Sequence, residues 1–86
     1  MLLTQAKVLH VMMIIKEHSI NVKLAEKKPA FHKVAGGYVV VIDQMGIGFV
    51  LESARGSKRL FKSIGFMEKF CKSVGFDSFE VVGFRG

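Results

Sequence analysis

From Tyr38 to Ile42 the chain reads Tyr-Val-Val-Val-Ile, five β-branched or aromatic residues with no polar break. Such a run favours pleated backbone, and its lack of alternation marks a central strand covered on both faces. Asp43-Gln44-Met45-Gly46 follows as a turn, with Asp at its first position and Gly46 suited to positive φ. Ile47 to Ser53 then returns antiparallel, with Gly48 thinning one face. A hairpin this definite commits the chain to a sheet. The other segments must pair with it or pack on it.

The next clear element is a helix. Ile64, Met67, Phe70, Cys71 and Val74 recur at 3–4 spacing and share one face. Ser63 suits the N-cap, and Gly75 stands where a left-handed C′ residue belongs, with Phe76 beside it for an apolar contact. Lys62-Ser63-Ile64-Gly65-Phe66 is echoed by Lys72-Ser73-Val74-Gly75-Phe76, and the two copies open and close this helix. Ser78 to Val82 is expected as a last strand, Phe79 and Val81 facing one way and Glu80 the other.

The first part of the chain is less marked. Thr4 suits an N-cap for a helix over 5–18, with Ala6, Leu9 and Met13 in one stripe and Val8, Val11 and Ile15 in another. Its β-branched residues suit a strand, but the length of the pattern favours helix. Ile20-Asn21-Val22-Lys23-Leu24 alternates as a half-buried strand, and Ala25 to Pro29 reads as a loop. Phe31 to Ala35 is strand-like. Gly36-Gly37 is either a hairpin turn before Tyr38 or a bulge within one long strand, and the bulge is taken here.

Together these give a single α+β domain over residues 1–86. A small antiparallel sheet of three to four strands carries two helices, in the order α-β-β-β-α-β. The hairpin–helix–strand unit spans 36–82. At 86 residues the core is thin, yet half the residues are apolar and eight are Phe. Some apolar surface is therefore expected to remain for a partner, with a second copy the simplest one. Met12, Ile15 and Phe66 are the candidate interface residues.

The net charge of +6 is concentrated between residues 55 and 75, where Arg55, Lys58, Arg59, Lys62, Lys69 and Lys72 outweigh Glu68. The first three lie on a Gly-containing turn that opens the helix, and the rest continue along it. Cations beside helix N–H groups suit phosphate, with affinity but no base specificity. Phe66 among them can stack on a base or pack on another protein surface. DNA is the expected polyanion.

No catalytic or metal motif is evident. His10 and His18 lie eight apart, too far to share one metal, and His32 has no ligand spacing to join them. Cys71 falls on the inward helix stripe, where a cysteine acts as a small hydrophobe. Gly46-Ile47-Gly48 lacks the strand-to-helix context of a nucleotide loop. No enzyme activity and no cofactor are expected. A lone cysteine suits a reducing, cytoplasmic setting. Val8 to Ile15 mimics a signal-peptide core, but one Lys precedes it and Lys16-Glu17-His18 ends it abruptly. A run this short cannot cross a bilayer, so no membrane partner is expected.

The series Gly36-Gly37-Tyr38-Val39-Val40-Val41-Ile42-Asp43, Val50-Leu51-Glu52-Ser53-Ala54-Arg55-Gly56, Arg59-Leu60-Phe61-Lys62-Ser63 and Gly75-Phe76 with Phe79-Glu80-Val81 resembles small partition- or maintenance-associated proteins of conjugative plasmids and related mobile elements. The resemblance covers residues 36–82 and rests on turn glycines and anchoring aromatics. It implies an accessory role beside DNA-segregation or transfer machinery and brings no catalytic residues. Two function classes follow: a non-enzymatic nucleic-acid-associated factor acting through the six basic residues, or a protein-interaction module that self-associates or docks on a partner.

Overall fold

The computed structural model describes residues 13–83. Five strands form one mixed sheet: β1 (Met13–Lys16), β2 (Ala30–Val34), β3 (Gly37–Gln44), β4 (Ile47–Glu52) and β5 (Glu80–Val82), in the spatial order β1-β4-β3-β2-β5. The central strands β2, β3 and β4 are antiparallel, while β1 joins β4 and β5 joins β2 in parallel. One helix, α1 (Ile64–Val74), packs on this sheet. The expected antiparallel sheet of three to four strands with two helices is thereby corrected to a mixed, five-stranded sheet with one helix among the described residues.

The expected helix over 5–18 is not seen in its described part. Met13–Lys16 is strand, and Glu17–Ser19 is a single 3₁₀ turn. Here β-branched Ile14 and Ile15 find a ready template: Ile14 pairs with Val50 and Ile15 with Leu51 along β4. That pairing satisfies the backbone and buries Ile15, which outweighs the helical spacing. The remainder of the expected helix lies outside the described residues.

Ile20–Leu24 is not the expected strand either. Asn21 caps a 3₁₀ turn over Val22–Leu24, its side chain accepting from the Lys23 N–H at 3.0 Å. The Asn21 N–H donates to Gln44 Oε1 at 2.7 Å, so both Asn21 groups are spent on a turn. The glycine pair also resolves against the bulge. Val34 pairs with Gly37 across an Ala35–Gly36 turn, making a second hairpin. Gly37 cannot carry a side chain: at φ +150° a Cβ would lie 2.8 Å from the Phe61 carbonyl oxygen. That approach exists because Phe61 pairs with Tyr38 through N–H to O contacts of 2.9 and 2.8 Å.

The expected hairpin and α1 both form, with two corrections: Asp43, expected at the first position of the turn, lies within β3 opposite Gly48, so the turn is Met45–Gly46 alone, and Ile64, expected on the inward helix face, is exposed. Both turn residues take positive φ, as a tight hairpin between right-twisted strands requires. Ser63 Oγ accepts from the Phe66 N–H at 3.4 Å. At the other end Phe76 N–H reaches the Cys71 carbonyl at 2.8 Å and Gly75 N–H reaches Lys72 at 3.3 Å, the paired bonds of a Schellman stop.

The core lies between α1 and one sheet face. Phe31, Val40, Ile42, Leu51, Phe61, Met67, Phe70 and Cys71 are all buried there. Phe31 is its hub, meeting Phe61, Phe70 and Phe79 edge-on at ring separations of 5.0, 6.5 and 5.2 Å. Strand register places Ile14, Lys16, Val39, Val41, Val50 and Glu52 on the opposite face, where Lys16 meets Glu52 at 2.9 Å. Among the described residues no helix is long and apolar enough to cross a membrane.

Candidate nucleic-acid interface

The basic segment leaves the sheet at the end of β4. It forms a tight turn closed on Ser53, whose N–H reaches the Ser57 carbonyl at 2.6 Å and whose hydroxyl accepts from Arg55 N–H at 3.3 Å. Its base is tied by Arg59 N–H to the Leu51 carbonyl at 3.0 Å. Arg55 therefore projects, exposed, from a held loop, while Arg59 is drawn back against the body of the domain.

Arg59 is the best-placed cation. Its guanidinium lies 4.8 Å from the Phe61 ring centre and 5.8 Å from that of Phe70. Such cation–π contact restrains the guanidinium before any ligand arrives. Its Nη1 stands 3.4 Å from Glu17 Oε1. Glu17 also accepts from Ser73 Oγ at 3.5 Å, so the 3₁₀ turn after β1 is laid against α1.

Two depressions meet at this pair. A cleft of about 660 Å³ is walled by Lys16, Glu17, His18, Glu52, Arg55 and Arg59. A shallower one of about 380 Å³ takes in Glu17, Arg59, Phe66, Lys69, Phe70 and Ser73. Of the six expected basic site residues, Arg55, Arg59 and Lys69 thus surround one region. Lys58, Lys62 and Lys72 are exposed but line neither depression. Arg55 and Lys69 have no acidic partner among the described residues, whereas Lys16 and Arg59 each have one.

Lys16, Glu17 and His18 were read from the sequence only as the abrupt end of an apolar run. The charged triplet was the available signal. What places it in the cleft is the parallel register that sets Lys16 beside Glu52.

The expected interface residues separate. Phe66 is 56% exposed at the rim of the shallower depression. Ile15 is 6% exposed, buried by the strand pairing, and so is removed from the candidate interface. Met12 lies outside the described residues, as does His10.

Cys71 is buried in the core, and burial pushes its thiol up to about 11. At neutral pH it is a protonated, apolar packing group rather than a nucleophile. Among the described residues no three His, Cys, Asp or Glu side chains gather to hold a metal.

Comparison with family models, with curated proteins and with solved structures yields no match to this chain. The two depressions bring together Arg59 with Arg55 on one side and Lys69 on the other, Glu17 and Glu52 among the lining, and the exposed Phe66 ring at the edge.

Proposed function

We propose that this chain is a non-enzymatic, cytoplasmic accessory factor that binds nucleic-acid phosphates through its basic turn–helix surface, in the partition or maintenance of a plasmid or mobile element. The process is taken from the resemblance of residues 36–82. The binding mode is supported by one observation above all: Arg55 and Lys69 flank Arg59, stacked on Phe61 and Phe70, in adjoining open depressions. Phosphate contacts of this type bring affinity without sequence choice. Lys58, Lys62 and Lys72 add to the field that attracts a polyanion without touching the same phosphates.

Binding to unrelated DNA oligonucleotides, followed by fluorescence anisotropy, is expected to weaken steeply with salt. Three to four phosphate contacts give a log–log slope of about −3 to −4 on duplex, and similar affinities for all sequences. A flat salt response, or no binding at low salt, overturns the reading.

A second reading, a protein-docking module without nucleic-acid contact, is favoured by Phe66. A phenyl ring 56% exposed beside Arg59 and Lys69 is the composition of an interface anchor. Phe66→Glu is expected to abolish self-association in sedimentation while leaving the melting temperature within about 2 °C, since surface substitutions cost little. A wild-type chain that stays monomeric at high concentration removes self-association as its purpose.

A further inference from the structure

We propose that Glu17 is a built-in competitor for the anion site: its carboxylate stands where a ligand phosphate would meet Arg59, and it must be displaced for binding. This rests on the phosphate-binding reading above and adds its regulation.

Glu17 lines both depressions, so any anion reaching Arg59 arrives against it. Yet it is loosely held. Its contact with Arg59 uses a single guanidinium nitrogen at 3.4 Å, well beyond the 2.7–2.9 Å of a good charge-assisted bond. Its second contact, from Ser73 Oγ, is 3.5 Å, and that hydroxyl is already given to the Phe70 carbonyl at 2.8 Å. The Glu17 side chain is 46% exposed, leaving it room to swing into solvent. Arg59 does not depend on it, because the two phenyl rings beneath hold the guanidinium in place. A phosphate, with more acceptor oxygens and at least equal charge, can take the fork that Glu17 fills only in part. The carboxylate thus sets a threshold. A lone weak anion gains little by replacing it, whereas a polyanion that also reaches Arg55 and Lys69 gains enough.

The test compares wild type, Glu17→Gln, Glu68→Gln, Arg59→Gln and the Glu17→Gln/Arg59→Gln double variant on one fluorescent DNA oligonucleotide across a salt series. Glu68 is exposed on α1 and lines neither depression, so its neutralisation controls for net charge. Glu17→Gln is expected to bind about three- to fivefold more tightly, the worth of freeing one exposed pair. Its salt slope should stay close to that of wild type, because Arg59 meets the same phosphate in both once the carboxylate has swung away. The gain should vanish when Arg59→Gln is the background, and Glu68→Gln should stay within twofold of wild type. If wild type binds but Glu17→Gln matches Glu68→Gln or binds more weakly, the competitor role is overturned and the phosphate site stands. If neither wild type nor Glu17→Gln binds at any salt, the phosphate reading itself is overturned, and the competitor with it. Circular dichroism melts of each variant show whether the fold is intact.

Discussion

Phe31→Ala is expected to leave much of the protein unfolded at 37 °C. Phe31 is fully buried and edge-on to three other phenyl rings, so truncation loses both its transfer free energy and three aromatic contacts. Substitutions of this kind cost about 3–5 kcal/mol. An 86-residue domain has a total stability on the order of 5–10 kcal/mol, so the loss is a large share of the whole. Thermal unfolding should shift down by roughly 15–25 °C. The surrounding rings cannot collapse to fill the space, because Phe61 is pinned by its backbone pairing to Tyr38 and Phe70 by the helix. A shift under about 5 °C would mean that the aromatic cluster is not the hub of the fold.

Charge reversal at Arg55 and Arg59 is expected to have the largest effect on binding. The double variant Arg55→Glu/Arg59→Glu removes two phosphate contacts and adds two repulsions, weakening DNA binding about 30- to 100-fold near 100 mM salt. The salt slope should become shallower by about 2. The two positions are not equivalent. Arg55 sits exposed on its held loop, so its reversal touches binding alone. Arg59 also covers Phe61 and Phe70 and faces Glu17, so its reversal sets two carboxylates together and is expected to lower stability by about 1 kcal/mol. Measuring each reversal singly, with a thermal melt alongside, separates the two effects. Unchanged binding in the double variant would dismiss the nucleic-acid reading.

The parts of the fold that were legible in the sequence are those with local signals. The β3–β4 hairpin follows from a β-branched run and a glycine turn, and α1 follows from its apolar face, Ser63 and Gly75. The parts that were not legible depend on distant partners. Met13–Lys16 is a strand because β4 offers it a free edge, a fact that helical spacing in its own sequence obscures. Asn21 belongs to a turn because Gln44, far along the chain, accepts its N–H. At Gly36-Gly37 the sequence allowed two backbones, and the approach of Phe61 selects one. The candidate site divides in the same way. The charge run between Arg55 and Lys72 could be read directly, and half of it lines the two depressions. Glu17, which faces Arg59, could not be read, since only strand register and helix docking bring it there.

The two parallel pairings bear on how the molecule assembles. The middle of the sheet is a meander whose neighbours are joined by two tight turns, so it can form early from contacts close in sequence. Its flanks cannot, because Ile14 must find Val50 and Phe31 must find Val81, partners far along the chain. Closing those long loops becomes worthwhile only once the meander exists as a template. The outer ribbons are therefore expected to dock late and detach first, and the wall of the cleft that carries Lys16, Glu17 and His18 begins on one of them.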